Sequence, residues 1–352
     1  MLWIWLGFIA FVLFMLALDL GVFHREAHVV SVKEALGWSA VWVTLGLLFA
    51  VFVYFGYEHH WLGLGLFPDP VDGLVNDGGS AVVKYITGYV VEKSLSIDNV
   101  FVIAMIFGSF AVPALYQHRV LFWGVLGALA MRGAMIALGA KLIADYHWIL
   151  YVFGVFLILT GVKMLLVKAE ASDPNDNPLV RWTRKLIPVT ERFHGEHFVV
   201  KAGSAQAREG VLPGETSLPD RVLEAAKAGT WLATPLLLAL VLVEFTDLIF
   251  AVDSIPAIFA ITADPFLVFT SNVFALLGLR SLYFALAGMM DRFRYLKVSL
   301  ALVLVVVGTK MLTAAQLKAW IGPSFNFWLL GLVLLILAGG VAASWRKAPG
   351  TA

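Results

Sequence analysis

The pattern along the chain is a succession of apolar runs, most about twenty residues long, separated by shorter polar stretches. A bilayer core of about 30 Å is crossed by roughly 20 mostly apolar helical residues. Nine segments meet that template: 2–23, 38–56, 81–107, 118–143, 147–167, 231–260, 266–289, 295–315 and 325–344. The runs are too long and too continuous to be the alternating strands of a membrane barrel. No Lys or Arg precedes the first run and its apolar stretch is long, which argues against a cleavable signal peptide. The expected fold class is an all-α polytopic membrane protein of about nine transmembrane helices.

Composition agrees with the pattern. Of 352 residues, 61% are hydrophobic and only 14% are charged, too few charges to cover a water-facing surface. A disordered chain and an ordinary soluble enzyme are excluded on that ground. With 25 Lys+Arg against 24 Asp+Glu there is no basic excess for nucleic acid. The absence of cysteine removes disulfides, thiol redox chemistry and Cys-based zinc sites.

The basic residues set an expected orientation. With the N-terminus outside, the cytoplasmic segments hold Arg25, Lys33, Arg119, the 168–230 loop, Arg292, Arg294, Lys297, Arg346 and Lys347, while only Lys84, Lys141 and Lys318 lie outside. The C-terminus is then cytoplasmic. The 169–230 segment, rich in Pro, Gly, Glu and Arg, reads as a cytoplasmic linker with a short surface helix around Arg221–Lys227.

Two passages nearly copy each other. Thr160-Gly161-Val162-Lys163-Met164-Leu165 matches Val307-Gly308-Thr309-Lys310-Met311-Leu312, and one run earlier each copy has an arginine, Arg132 or Arg280. The Arg-to-Lys spacing is 31 in one copy and 30 in the other, and one run earlier still both copies place an acid six residues before an aspartate: Glu92 and Asp98, Asp247 and Asp253. Runs 3–5 and 6–8 therefore read as two copies of a three-helix unit. Three is odd, so the second copy enters from the opposite side, giving an inverted repeat with a substrate site near the midplane. The expected organisation is two N-terminal helices (1–80), repeat 1 (81–168), the cytoplasmic loop (169–230), inverted repeat 2 (231–317), and a C-terminal helix and tail (318–352).

Within the apolar runs lie Glu92, Asp98, Glu244, Asp247 and Asp253. A charge at the bilayer centre costs about 2.5–3.5 kcal/mol or more, so these acids must face the bundle interior or a water-filled cavity. Glu244 and Asp247, three apart, share a helix face. A six-residue step turns about 600°, well past alignment, so the other pairs converge only on a broken helix. Pro256 is the expected breaker of the sixth run. Asn99, Ser94, Ser96, Thr246, Ser254, Thr270, Ser271 and Asn272 add neutral oxygens. Carboxylates and carbonyls suit Mg, Ca and Mn. Lys93, Arg132, Lys163, Arg280 and Lys310 are the expected charge-balancing partners. They would hold the acids either as static pairs or as counter-charges that release them to a cation. Asp19 reads as an interfacial charge, and the histidines all fall in loops or at run ends.

The segments Glu92-Lys93-Ser94-Leu95-Ser96-Ile97-Asp98-Asn99-Val100-Phe101 and Glu244-Phe245-Thr246-Asp247-Leu248-Ile249-Phe250-Ala251-Val252-Asp253-Ser254-Ile255-Pro256-Ala257 resemble the paired signatures of the TerC family of integral membrane proteins, nearest its Alx-like branch. Thr270-Ser271-Asn272 with Gly278-Leu279-Arg280 is similar to that family too. The resemblance runs over roughly 1–340 and implies export of manganese across the inner membrane. Its acidic motif positions fall on Glu92, Asp98, Glu244, Asp247 and Asp253, with Asn99 and Asn272 beside them. The 201–229 stretch is longer than the family's loop. The expected cargo is Mn²⁺, with Ca²⁺ left open because selectivity rests on cavity size. The expected partners are the metal ion, the bilayer and protons as counter-ion, with no organic cofactor and no nucleic acid. No Gly-x-x-x-x-Gly-Lys-Ser/Thr string occurs, so ATP is not the energy source within this chain, and no enzymatic motif is visible. The alternative is a membrane scaffold, serving tellurite resistance or metal loading of exported proteins, in which the acids are structural ion pairs.

Overall fold

The structure is a computed structural model, and the residues it describes are 2–21, 31–166, 178–211, 219–286, 295–322 and 325–346. Helices occupy all nine apolar runs. They are α1 (Leu2–Gly21), α2 (Val32–Glu58), α3 (Gly78–Ser109), α4 (Ala114–Asp145) and α5 (Ile149–Leu166), followed after a smaller unit by α8 (Pro235–Phe259), α9 (Pro265–Leu277), α10 (Leu279–Leu286), α11 (Leu296–Leu312) and α13 (Phe325–Arg346). Five of these are long and apolar enough to cross a membrane on their own, and the α9–α10 pair, bent by 40°, makes a sixth. Large apolar side chains such as Leu159, Leu166, Trp328 and Leu335 stand exposed on the outer faces. In water such a surface would be an aggregation liability; against lipid it is the expected one.

Helix ends follow local chemistry. Asp77 caps α3 by accepting from the Ser80 N–H, and Asp264 caps α9 by accepting from Phe266 and Leu267 N–H, with Pro265 at its first turn. The expected breaks in the third and sixth runs are absent: α3 is continuous over 32 residues, and α8 carries Pro256 inside its helix. Pro256 lies three residues from the end of α8, so it forfeits one rung where little ladder remains. The break falls in the seventh run instead, between Leu277 and Leu279, around Gly278.

The 178–233 segment is more than a linker. It holds α6 (Pro178–Leu186), α7 (Arg221–Ala225) and two antiparallel strands, β1 (Val199–Lys201) and β2 (Trp231–Ala233), over a small core of Val200, Ala202, Ala207 and Leu232. The sixth run thus opens as a strand and becomes helical only at Pro235, where proline fits the first helical position. This unit packs on the N-terminal end of α4: Arg119 pairs with Glu196 at 2.5 Å, and the Tyr116 hydroxyl donates to the Val211 carbonyl at 2.7 Å. The bundle therefore has two unlike ends, one carrying this unit and one formed by residues 59–77, 146–148 and 260–264, where α12 (Ala314–Ile321) also follows α11.

α5 and α11 lie side by side, antiparallel and close. A side chain at Gly308 would meet the Gly154 carbonyl at 2.8 Å, and one at Gly161 would meet the Ala301 carbonyl at 2.7 Å. Small residues permit this backbone approach inside a membrane.

Candidate functional site

The centre of the bundle is built around Arg132 of α4, which is 1% exposed. Its guanidinium donates to Glu92 Oε1 of α3 through Nη1, and to Asp247 of α8 through Nε (3.1 Å to Oδ2) and Nη2 (2.9 Å to Oδ1). The fork geometry of guanidinium matches a carboxylate in this bidentate way. Nη1 also reaches Ser254 Oγ at 3.2 Å and Asn272 Oδ1 at 3.4 Å, and Asn99 Nδ2 donates to Asp247 Oδ1 at 3.2 Å. Four helices thus meet at one cation.

Acceptors remain in excess. Glu92 Oε2 and Asn99 Oδ1 are buried with no hydrogen-bond partner, and so is Glu244 Oε2. Unpaired buried acceptors are costly unless a donor or cation serves them. A cavity of about 460 Å³ adjoins the centre, and its wall includes Glu92, Asp98, Asn99, Arg132, Asp253, Ser254 and Lys297. Asp253 Oδ1 accepts from the Thr160 hydroxyl at 3.4 Å.

Of the sequence-predicted acids, Glu92 and Asp247 are bridged by Arg132, Asp98 and Asp253 share the cavity wall, and Glu244 stands apart against α4, where a side chain at Gly127 would collide with its carboxyl group. Among the described residues no three His, Asp or Glu side chains are grouped to hold a metal as they stand. Arg132 occupies the middle of the set, which separates the carboxylates instead of gathering them.

The other predicted bases behave differently from one another. Lys93 donates to the Ala275 carbonyl at 3.0 Å, and a side chain at Gly278 would meet its Nζ at 2.7 Å. The break at Gly278 leaves that carbonyl short of a helical partner, so the liberated oxygen receives an ammonium. Lys310 donates to Ala260 O, the orphan carbonyl at the end of α8, at 2.6 Å. Lys163 is exposed in the last turn of α5, where a cation suits the helix dipole. Arg280 is buried in the first turn of α10. Asp19, Lys318 and Arg346 have side chains outside the described residues, as do Arg25, Arg292, Arg294 and Lys347 altogether.

Lys84, expected as an outside-facing charge that helps set orientation, is instead 1% exposed and paired with Asp69 and Asp72. The sequence does carry a signal for this cluster: Asp69-Pro70-Val71-Asp72 and Asn76-Asp77 place acids in the polar stretch 7 to 15 residues ahead of a lysine inside an apolar run.

The apolar helices and the buried ionic centre define a polytopic integral membrane protein. The chain belongs to the "Integral membrane protein TerC family", which it matches over residues 77–349. It is 52% identical to an uncharacterized membrane protein of Myxococcus xanthus over 88% of this chain and 82% of that protein. It is 46% identical to Alx of Escherichia coli K12, whose name describes a proposed membrane-bound redox modulator, over 88% of this chain and 85% of that one. Alx of Photorhabdus laumondii is 43% identical over 95% and 92%. No solved structure matches the chain.

Proposed function

We propose that this protein is an inner-membrane secondary transporter that exports a divalent cation, with Mn²⁺ as the cargo. The observation that carries the reading is the surplus of buried hard oxygens around Arg132: Glu92 Oε2 and Asn99 Oδ1 have no donor, in a cavity wall that also holds Asp98 and Asp253. Such oxygens fit Mn²⁺ better than a soft metal. Arg132 is the resident counter-charge, and its withdrawal from Glu92 and Asp247 opens the site to a cation. Two ionic arrangements of one set of groups supply the two states that alternating access needs. Protons serve as counter-ion in this scheme.

Residues 81–168 and 231–317 are proposed as inverted repeats, with the N-terminus outside and the C-terminus cytoplasmic. Contact symmetry supports this. The motif match equates Gly161 with Gly308, and hence Gly154 with Ala301; the two close contacts, Gly154 with Gly308 and Gly161 with Ala301, exchange under that equivalence. The motif match equates Glu92 with Asp247, and Arg132 bridges this very pair. Self-complementary contacts are what a local two-fold axis produces.

The alternative, a scaffold with structural ion pairs, is favoured by one observation: Arg132, Lys93 and Lys310 each already have acceptors. Reconstitution separates the two readings. Purified protein in liposomes should move Mn²⁺, and the Asp98→Asn, Asp253→Asn double variant should lose most of that flux. Equal flux in the two would sink the transport reading. A redox role of the kind in the relatives' name finds no thiol to act through in these 352 residues.

A further inference from the structure

A second buried ionic cluster lies at the end of the bundle opposite the 178–233 unit. Lys84 Nζ sits 2.9 Å from Asp69 Oδ2, 2.8 Å from Asp72 Oδ2 and 2.6 Å from Asn76 Oδ1. The Thr262 hydroxyl and the Ala263 N–H donate to Asp69, and Asn326 Nδ2 donates to Asp72 Oδ2 at 3.2 Å. The groups come from the 59–77 segment, α3, the α8–α9 turn and α13, so the cluster ties the N-terminal half of the bundle to the C-terminal half.

Three features go beyond a structural clasp. The ammonium is surrounded by hard oxygens at distances of 2.6–2.9 Å, the environment a small cation would want. Asn326, 6% exposed, turns its amide into the cluster while its Oδ1 has no partner, an acceptor lacking a donor or a cation. Two cavities touch the cluster: one of about 280 Å³ with Asp69 and Asp264 in its wall, and one of about 420 Å³ with Asp72 and His147 in its wall. Asp69, Asp72 and Asn76 also precede residue 77, where the family match begins.

We propose that Asp69, Asp72, Asn76 and Asn326 form a second divalent-cation site at the outer end of the bundle, in which the Lys84 ammonium is a tethered stand-in for the ion. A cation arriving from the central cavity displaces Lys84, binds the two carboxylates and the amide oxygens, and leaves to the outside when Lys84 returns. Lys84 thereby sets the residence time of the ion at the exit. In this order of events the inference rests on the transport reading, but the binding it requires does not.

The test uses full-length protein in nanodiscs, with bound and free Mn²⁺ counted by electron paramagnetic resonance. Lys84→Met should bind about one more Mn²⁺ per chain than wild type at the same free concentration. Adding Asp69→Asn and Asp72→Asn should remove that ion. No gain in the Lys84→Met protein, or a gain that survives loss of both carboxylates, overturns the proposal. Lys84→Gln, which keeps a hydrogen-bond donor in place, carries the same comparison if the methionine variant does not fold. In liposomes, Asp72→Asn alone should cut Mn²⁺ flux by about tenfold without changing the number of ions bound by the central site, and unchanged flux overturns the exit role. Failure of the transport reading looks different: wild type then moves no Mn²⁺ while Lys84→Met still gains its ion.

Discussion

Arg132 is the residue on which the central site turns, because it is a fully buried cation bonded to two carboxylates from different helices. Removing one partner of a buried ion pair typically costs about 3–5 kcal/mol, since the remaining charges stay buried uncompensated. Arg132→Met should accordingly lower the melting temperature strongly in detergent. Combining it with Glu92→Gln and Asp247→Asn should restore most of that stability while leaving Mn²⁺ flux absent, separating the structural role of the charges from their functional one. A second residue-scale prediction concerns Gly127. Alanine is the better helix former by about 1 kcal/mol, yet its Cβ would collide with the Glu244 carboxyl group. Gly127→Ala should keep the thermal stability and lower flux several-fold; unaltered flux would show that the placement of Glu244 is immaterial.

At the scale of elements, the α5–α11 pair explains why the repeated Gly-x-Lys-Met-Leu strings are where they are. Gly161 and Gly308 lie where one backbone passes the other, and each lysine lies in the last turn of its helix. Overpacking such a contact typically costs about 1–3 kcal/mol. Gly154→Val and Gly308→Val act on one shared contact, so their combined loss of stability should fall short of the sum of the singles, measured by unfolding of the two single variants and the double. The strings themselves were readable in the sequence. Their partners, Gly154 and Ala301, were not, because they carry no motif and matter only once the helices are antiparallel at this register. Helix continuity is poorly encoded in the sequence for a related reason. A proline signals a lost hydrogen bond, but its effect depends on how much helix follows, whereas the real break at Gly278 is accompanied by the Lys93 ammonium seated against the α9 backbone.

At the scale of the whole molecule, the 178–233 unit is a small folded body with its own pH response. His194 is buried, and burial holds its imidazole below the ordinary value of about 6.5. The unfolded unit therefore binds more protons than the folded one as pH drops through that value. Stability is full above about pH 6.5 and declines below it. Limited proteolysis of this unit in nanodiscs should show slower cleavage at pH 7.5 than at pH 5.5, and His194→Gln should flatten the difference. The Arg119 hydrogen bond holds Glu196 below its usual carboxylate range, so its contribution is lost only in more acidic solution, outside that window.

By itself the sequence determined the class of protein, the positions of its apolar helices and the small set of charges that had to be inside. These follow from terms that act locally: the cost of a polar group in lipid and the length needed to cross it. It also pointed to the helices whose charges surround Arg132. Only the tertiary structure decided which of those charges meet. It placed Arg132 between Glu92 and Asp247, set Glu244 aside, turned Lys84 from a surface marker into the centre of a second cluster, and gave the 178–233 segment a core of its own. The physical reason is range. An ion pair between residues 115 positions apart, or a hydrogen bond between residues 148 apart, exists only where helix packing brings their side chains within about 3 Å, and no local pattern along the chain encodes that approach.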